Sequence, residues 1–336
     1  MNELNQKTIG VVIPTYNRAN ILRATLDAVL SQTRKPDAVV VVDDGSTDHT
    51  DAVLSEYSDE VRSVRIINSG DLVARNIGLA NIGTDLVAFC DSDDIWRKNF
   101  LSRMEEFWMA EPDLKVAYSD FVIINDWKWE EKTKLGDAPD GFWSGFRHVT
   151  QTMGVFDEPI VDRLLHYQPL FPSCMVVDRK FFHSLGGWDE GANRLRGSDF
   201  ATALLLAEVC SVGIIKEPLV GIRKHAGNFS GDVQKMNLGD ALVLEHVLET
   251  RPSLAKHAGA IRGSVVKRRQ QALDTAFARG DLSAVRQIYN LLPDYARGGA
   301  IRVKYTVAAM PGPLGPTMAA ILTSAGSAKS RTKKRG

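Results

Sequence analysis

The first ninety residues alternate between short apolar runs and segments in which apolar residues recur at helical spacing. The apolar runs predict buried strands at Ile9–Pro14, Ala38–Val42, Val64–Asn68 and Leu86–Cys90. The segments between them predict helices, one through Leu22, Leu26, Val29 and Leu30 and another at Leu72–Asn81. Strands that alternate with helices favour an α/β fold with a parallel sheet and right-handed crossovers.

The second half of the chain begins with further strands and ends in helices. Strands are predicted at Val116–Tyr118, at Phe121–Ile124 and after Phe171, with a short helix at Arg179–Leu185. From about residue 234 the pattern becomes helical, with segments through Leu242–Leu248, Leu254–Ala278 and Leu282–Leu291. The apolar segment Tyr305–Gly326 is interrupted by three prolines, and basic residues crowd the chain after it.

Three carboxylates, Asp91, Asp93 and Asp94, follow the strand Leu86–Cys90 within four positions. Like charges at the end of a buried strand are unfavourable unless a cation neutralises them. The carboxyl ends of strands in an open α/β sheet bind ligands, and Mg²⁺ is held by one or two carboxylates with water and phosphate oxygens. We therefore predict a metal–diphosphate site. The alternative, capping of a helix at Lys98–Ala110, accounts for Asp94 alone.

Composition narrows the class of protein. The 336 residues are enough for two domains, and a hydrophobic content of 44% suffices for a sizeable core. Lys and Arg number 41, as do Asp and Glu, so the charge does not point to a nucleic acid partner. Cys90, Cys174 and Cys210 lie far apart in apolar surroundings, which is typical of reduced thiols. With no visible secretory signal or membrane span, this favours a cytoplasmic location.

Four short motifs occur in a characteristic order. They are Val12–Arg18 (VIPTYNR), Val42–Asp48 (VDDGSTD), Ala74–Gly78 (ARNIG) and Asp91–Asp94 (DSDD). Together they resemble the ordered signature of family 2 glycosyltransferases, over about residues 8–230. The first strand is followed by neither a G-x-G-x-x-G segment nor a P-loop motif, which disfavours the other common nucleotide-binding folds.

The resemblance implies a GT-A-like α/β fold, a mostly parallel sheet flanked by helices, with an α-helical C-terminal extension. Residues 1–232 would form the transferase domain, with a nucleotide-sugar-binding half at 1–125 and an acceptor-binding half at 126–232. Residues 233–308 would form a helical region, and residues 309–336 an apolar segment with a basic tail.

The resemblance also implies which residues bind the donor. The nucleotide sugar would contact Pro14, Thr15, Tyr16, Arg18, Asp44, Arg75, Asp91 and Ser92. Mg²⁺ or Mn²⁺ would be held by Asp93 as the main ligand, with Asp91 and with His225 of a segment that resembles the family's closing loop (Arg223, His225, Asn228).

The residues themselves leave other roles open for four of these side chains. Tyr16 also suits a packing aromatic and Asp44 a turn residue. Arg75 also suits an ion pair with an acid of the site, and a lone His225 a structural contact.

Acceptor-side residues are implied in the same way. Gly187, Trp188 and Asp189 lie in a G-G-W-D-E segment that resembles the family's acceptor motif. Asp199 would be the catalytic base, although Ser198 stands where the family has an acid. The alternative is that Asp199 only interacts favourably with the dipole of its helix.

The segment Trp127–Thr150 is long, irregular and aromatic. Loops of this kind are usually functional or mobile. Two interpretations stay open for its aromatic side chains: they stack on acceptor sugars, or they form a small satellite core. The residues concerned are Trp127, Trp129, Phe142 and Trp143.

The expected function is metal-dependent, inverting transfer of a sugar from a nucleotide diphosphate, with a UDP-sugar as the expected donor. The acceptor would be a hydroxyl of a glycan or lipid-linked glycan in surface polysaccharide synthesis. The alternatives are a sugar nucleotidyltransferase and a catalytically silent family member that acts as a complex subunit. The basic tail either contacts an anionic membrane face or stays solvated.

Overall fold

The computed structural model describes residues 6–225 and 231–333, and the strands of its first part form one sheet. The strands are β1 (Ile9–Thr15), β2 (Ala38–Asp43), β3 (Arg62–Arg65), β4 (Leu86–Phe89), β5 (Ile95–Trp96), β6 (Val116–Asn125), β7 (Lys128–Thr133), β8 (Phe146–His148), β9 (Met153–Phe156), β10 (Met175–Asp178) and β11 (Val212–Arg223). The accompanying helices are α1 (Ala19–Leu30), α2 (Thr50–Ser55), α3 (Asp71–Ala80), α4 (Phe100–Ala110), α5 (Val161–His166), α6 (Arg179–Ser184) and α7 (Asp199–Val209).

The strands follow the order β3-β2-β1-β4-β10-β6-β11-β9-β8, with β5 paired to β11 and β7 to β6. The first four strands in this order are parallel. β10 runs antiparallel between β4 and β6, and β11 is parallel to β6. The predicted α/β fold with a mostly parallel, helix-flanked sheet is confirmed, although the half of the sheet beyond β4 is mixed.

The parallel half is buried on both faces. All seven residues of β1 and all four of β4 are buried. α1 buries Leu22, Leu26 and Val29, which recur at helical spacing. Strands in such a sheet are unbroken apolar runs because neither face meets water, which is why the sequence located them.

Some predicted boundaries are wrong. Val116–Tyr118 and Phe121–Ile124 are parts of one strand, β6, which continues through the buried residues Ser119 and Asp120. The third strand lies at Arg62–Arg65 instead of Val64–Asn68, because the chain leaves the sheet before Asn68 to contact the end of β2.

The segment predicted to be irregular, Trp127–Thr150, contains β7, β8 and a short 3₁₀ turn. β7 pairs antiparallel with β6. The two strands are joined by a two-residue turn, which the paired residues Asn125 and Lys128 flank. The two turn residues, Asp126 (φ 46°) and Trp127 (φ 65°), are both left-handed, as a type I′ hairpin turn requires. A left-handed backbone costs a non-glycine residue roughly 1–2 kcal/mol.

A second compact unit comprises residues 195–197 and 231–333, and residues 6–194 and 198–225 form the first. Its helices are α8 (Val233–Thr250), α9 (Ala258–Ala278), α10 (Leu282–Asn290), α11 (Gly299–Ala308) and α12 (Leu314–Lys333). Its core includes Leu273 and Phe277 of α9 with Val285 and Ile288 of α10.

The prolines interrupt the apolar segment Tyr305–Gly326 at one place, between α11 and α12, and the rest of the segment is helical. Pro311 and Pro313 lie in the link between α11 and α12, and Pro316 lies in the first turn of α12, where proline is tolerated.

No helix in the described part of the chain is both long and apolar enough to cross a bilayer. Asn228 of the predicted closing loop, and Lys334 and Arg335 of the tail, lie outside the described residues.

Candidate active site

The candidate site lies at the carboxyl edge of the parallel strands. The register places Thr15 beside Asp43 and Val12 beside Phe89, so β1, β2 and β4 end at the same edge. Three of the four sequence motifs supply the loops that follow these strands. This edge is where ligands bind in open α/β sheets.

Asn17 joins the first two of these loops. Its backbone is left-handed (φ 52°), and its side-chain Oδ1 accepts hydrogen bonds from the backbone N–H groups of Thr47 (2.7 Å) and Asp48 (3.3 Å). Its own N–H donates to Ser46 Oγ at 2.9 Å. Sequence analysis did not single out Asn17, although Asn is the non-glycine residue that best tolerates this conformation.

The predicted nucleoside-binding residues differ in exposure. Pro14 and Thr15 are buried at the end of β1, and Thr15 Oγ1 has no hydrogen-bond partner among the described residues. Tyr16, the next residue, is 45% exposed. A buried hydroxyl without a partner beside an exposed ring leaves a polar group for a ligand to satisfy.

Asp44 orders the loop that precedes α3. Its carboxylate accepts hydrogen bonds from the backbone N–H groups of Ser69 (2.6 Å) and Gly70 (2.9 Å), and the residue is only 5% exposed. This geometry corresponds to the turn-residue alternative. A nucleoside contact through the remaining lone pairs of the carboxylate stays a prediction.

Arg75 is buried and lies between two acids. Its Nη1 pairs with Asp71 (2.5 Å) and its Nη2 with Asp91 (2.6 Å). Burial alone would lower the pKa of Arg75, but the carboxylates of Asp91 and Asp71 outweigh it and raise the pKa. The guanidinium therefore stays charged and holds Asp91 in place. Burial and the nearby charge of Asp93 raise the pKa of Asp91, and Arg75 opposes that shift.

The two other acids of the motif have different surroundings. Asp93 Oδ2 lies 3.0 Å from His225 Nε2 and 3.6 Å from Arg18 Nη2. Asp94 is 4% exposed and accepts hydrogen bonds from Ser173 Oγ (2.5 Å) and from the Arg223 N–H (3.3 Å). Burial, reinforced by Asp93 and Asp91, raises the pKa of Asp94 well above its usual range.

The helix-cap alternative for Asp94 is therefore wrong. α4 begins at Phe100, and its N-cap residue is Asn99. Asp94 is instead a buried anchor whose partners come from segments that are distant in sequence. Only Asp91 and Asp93 of the motif remain partly open to solvent, with side-chain exposures of 31% and 17%.

The residues present fit a divalent cation that is completed by substrate. Among the described residues, no group of three or more His, Cys, Asp or Glu side chains is placed to hold a metal by itself. However, the 3.0 Å between Asp93 Oδ2 and His225 Nε2 is the spacing of adjacent ligands in an octahedral shell, for which bonds of about 2.1 Å are expected. A cation held by so few protein ligands requires water and phosphate oxygens for its remaining positions.

Arg223 fixes the backbone beneath this pair. Its Nε donates to the carbonyl oxygen of Asp93, and its Nη2 donates to Thr25 Oγ1 (2.9 Å) and to the Ile21 carbonyl (3.0 Å). Thr25 Oγ1 also lies 3.0 Å from the carbonyl of Ser92, a residue that is itself buried. Ser92 therefore contributes backbone geometry, and its predicted donor contact stays a prediction.

Asn76 links its own motif to the segment with the predicted acceptor residues. Its Oδ1 accepts from the Trp188 N–H (2.8 Å), and its Nδ2 donates to the Trp188 carbonyl (2.9 Å). Gly187 is left-handed (φ 74°), and a Cβ there would lie 2.4 Å from Asn76 Oδ1. Close approach therefore explains this glycine. Asp189 is partly exposed, and its carboxylate accepts from the Gly191 N–H at 3.1 Å.

The predicted acceptor contact of the Trp188 ring requires correction. The residue is 3% exposed, and its ring packs against Phe89 (5.0 Å between ring centres) and Phe182 (5.8 Å). Arg75 lies over the same ring at 5.0 Å. Trp188 therefore lies in the core against Arg75, while Asn76 holds its backbone.

Asp199 is the first residue of α7 and is half-buried, and Ser198 before it is buried. An acid in this position interacts favourably with the helix dipole, so the geometry alone is compatible with both interpretations of Asp199. Its role as the base stays a prediction.

Most of the aromatic residues of 127–150 form a satellite core. Phe142 is buried, and Trp143 stacks on Phe156 with ring centres 5.9 Å apart. Trp129 lies against the Arg97 guanidinium, 4.2 Å from ring centre to Cζ. Trp127 differs from the others, because it is 67% exposed.

Ser173 offers a direct test of the buried anchor. Its Oγ donates to Asp94 and accepts from the Asp91 N–H at 2.9 Å. We expect Ser173→Ala to lower the free energy of unfolding by about 1–3 kcal/mol, because both groups lose a buried partner. Urea denaturation measures this change. Ser184→Ala, at an exposed serine of α6, is the matched control; equal effects of the two substitutions would contradict the anchor role.

Comparison with known proteins identifies the family. The sequence profile of Glycosyl transferase family 2 matches residues 10–186, more than half of the 336 residues. The chain belongs to glycosyltransferase family 2. The four motifs of this family 2 chain all lie within the matched region.

Relatives of this family 2 chain carry corresponding names. An uncharacterized glycosyltransferase of Rickettsia felis is 28% identical over 225 residues, which is 63% of this chain and 36% of the relative. The succinoglycan biosynthesis protein ExoW of Rhizobium meliloti is 30% identical over 193 residues, which is 53% of this chain and 57% of that protein. The chain therefore spans about a third of the length of the first relative and somewhat more than half of the second.

Solved structures show the same fold. S. aureus TarS 1–349 in complex with UDP-GlcNAc superposes with a TM-score of 0.61 at 17% identity, over 90% of each chain. The mannosyltransferase PcManGT of Pyrobaculum calidifontis, in complex with GDP-Man and Mn²⁺, superposes with a TM-score of 0.53 at 18% identity, over 95% of this chain and 88% of that one. The predicted GT-A-like architecture is thereby confirmed.

Proposed function

We propose that this family 2 chain transfers a sugar, with inversion, from a nucleotide-diphosphate donor to a hydroxyl of a glycan or lipid-linked glycan, in a reaction that depends on a divalent metal. The observation that carries the proposal is the Asp93–His225 pair, 3.0 Å apart, at the carboxyl edge of a family 2 sheet. Similarity to TarS, solved with UDP-GlcNAc, supports a UDP-sugar as the donor.

Asp93 and His225 would hold the cation, with Asp91 beside them. When bound, Mn²⁺ or Mg²⁺ acts as a Lewis acid that neutralises charge on the departing diphosphate. An imidazole ligand favours Mn²⁺ over Mg²⁺, because imidazole is a softer donor than a carboxylate. Arg18, whose Nη2 lies 3.6 Å from Asp93, brings a second positive charge towards the same diphosphate.

The residues of the chain have separate tasks in this reaction. Thr15 and Tyr16 at the end of β1 would bind the nucleoside, with Asp44 fixing the loop beside them. Asp199 would accept the proton of the acceptor hydroxyl as its oxygen attacks the anomeric carbon. A single displacement of this kind needs one base and no protein nucleophile.

The product identifies the reaction class. Incubation with Mn²⁺ and a panel of nucleotide sugars is expected to release a nucleoside diphosphate together with a glycosylated acceptor. Release of pyrophosphate from a nucleoside triphosphate and a sugar phosphate would instead support a nucleotidyltransferase. Failure of calorimetry to detect any nucleotide-sugar binding would support a silent subunit.

Relatives with names in polysaccharide biosynthesis, such as ExoW, support a surface polysaccharide or its lipid-linked precursor as the acceptor. A lipid-linked acceptor would bring the enzyme to the inner face of the cytoplasmic membrane. α12 carries an apolar stripe suited to this location: Leu314, Met318, Ile321 and Leu322 are 61%, 39%, 57% and 39% exposed and fall at helical spacing. Basic residues follow in the sequence, from Lys329 to Arg335.

We expect the full chain to cosediment with vesicles that contain anionic phosphatidylglycerol, because apolar burial and charge attraction act together. The double substitution Leu314→Ser/Ile321→Ser is expected to weaken binding by about tenfold. Val303→Ser, at an equally exposed position of α11, is the control. Binding that is the same for all three proteins, or for neutral vesicles, would contradict membrane contact through α12.

A further inference from the structure

The turn between β6 and β7 holds a residue that its backbone disfavours. Asp126 and Trp127 are both left-handed, at φ 46° and 65°. Type I′ turns prefer Asn or Asp at the first central position and Gly at the second. Asp126 follows this preference. Trp127 occupies the glycine position, where a bulky side chain is least compatible with the backbone.

Burial does not compensate for this strain. Trp127 is 67% exposed, so its indole contributes little apolar burial to the fold. Its aromatic neighbours in sequence behave differently, since Phe142 is buried and Trp129 lies against Arg97. Backbone strain at an exposed aromatic residue points to a role in function.

The position of the ring indicates which role. The Arg223 guanidinium lies under the indole, with Cζ 5.3 Å from the ring centre. The same arginine donates through Nε to the carbonyl of Asp93, and His225, two residues on, contacts the Asp93 carboxylate. Trp127 is thus separated from the proposed metal ligands by a single side chain.

The strand order indicates on which side of the proposed metal site the Trp127 indole lies. β1 and β2, which end at the proposed nucleoside-binding residues, lie on one side of β4. β6, whose end carries the Trp127 turn, lies on the other side, beyond β10. The indole is therefore placed for the group that approaches the sugar from the side opposite the nucleotide.

We propose that Trp127 is an acceptor-binding residue, whose indole stacks on the apolar C–H face of a pyranose ring in the acceptor glycan. The inference rests on the proposed glycosyltransferase function. An indole offers a large, rigid apolar face with little conformational entropy to lose, and the underlying Arg223 limits its movement.

The test uses the full chain, the best donor from the nucleotide-sugar panel, Mn²⁺, and methyl pyranosides as acceptors, with products measured by mass spectrometry. Trp127→Gly is expected to raise the acceptor KM by about tenfold, the order of an aromatic stacking contact, without changing the donor KM or the Kd for UDP. Because glycine suits the left-handed turn, the melting temperature of Trp127→Gly is expected to stay equal or rise. Trp127→Phe is expected to restore most of the acceptor affinity.

Tyr295→Ala, at a 79% exposed aromatic residue of the second unit, is the control variant. An unchanged acceptor KM in Trp127→Gly, or a donor KM that rises equally, would overturn the assignment. A marked loss of stability would also overturn it, because Trp127 would then be a packing residue. If the wild-type chain transfers no sugar at all, the proposed function itself fails, and this result appears before any variant is compared.

Discussion

Asp93→Asn is expected to lower metal-stimulated sugar transfer by about a hundredfold or more, the scale seen when a group that stabilises developing charge is removed. The amide has nearly the same shape as the carboxylate, but it lacks the charge that would hold the cation beside His225. It also leaves Arg18, 3.6 Å away, without its anionic partner. The measurement is the initial rate of nucleoside diphosphate release across a Mn²⁺ titration.

Two controls make this result specific. Asp113→Asn removes an exposed acid from the loop after α4 and is expected to retain wild-type rates. The melting temperature of Asp93→Asn reports whether the fold survives. If Asp93→Asn shows the wild-type response to Mn²⁺, the assignment of Asp93 as the main metal ligand is wrong.

Asp199→Asn is expected to reduce kcat by a factor of about 10²–10⁴, the usual contribution of a general base. Binding of UDP with Mn²⁺, measured by calorimetry, is expected to remain, because the proposed donor-binding residues lie at the end of β1, in the loops after β1, β2 and β4, and on α3, away from Asp199 in sequence. A loss confined to kcat separates proton transfer from donor binding.

The helix-dipole interpretation of Asp199 makes a different prediction. An acid in the first turn of a helix contributes about 0.3–1 kcal/mol to stability and nothing to the reaction. Asp162 occupies the corresponding first turn of α5, so Asp162→Asn is the matched substitution. If Asp199→Asn and Asp162→Asn both change only the unfolding free energy, Asp199 is not the base.

The parallel half of the sheet could be predicted from the sequence because burial on both faces leaves an unmistakable pattern. β1 and β4 are continuous apolar runs, and each is followed by polar residues at the ligand-binding edge. The acidic cluster was informative for the same reason, since acids directly after a buried strand require a partner. In this half of the sheet, the local sequence pattern reflects the burial of the strands and the need of the acids for a partner.

The mixed half could not be predicted in the same way. β10 is short and apolar, and nothing in Met175–Asp178 specifies that it runs antiparallel between β4 and β6. The chain just before β10, with Ser173, contacts the acidic motif. That contact joins residues 79 positions apart, and a single serine in an apolar run gives no sign of it.

The roles of individual side chains were predictable only where charge or backbone conformation left a signal. Asp94 follows Asp91 and Asp93 in the same motif, and the sequence left a helix-capping role open for it, whereas tertiary burial makes it an anchor. Trp188 lies between Gly187 and Asp189 in the predicted acceptor motif, so its ring was expected at the surface. In the structure Asn76 binds its backbone and the ring lies in the core. Both misassignments arise from contacts between distant segments, which a single sequence does not reveal.

The interleaved order of the strands has a consequence for how the protein is made. One edge of β4 has no partner strand until β10, which begins at Met175, has been synthesised. One edge of β6 has none until β11 has been synthesised, later still. Unpaired strand edges can pair with other chains, so nascent or prematurely terminated copies are prone to misassembly. A fragment trimmed to the family profile, which ends at residue 186, would keep the acidic motif but lose β11 with Arg223, and the β11 edge of β6 would then stay unpaired.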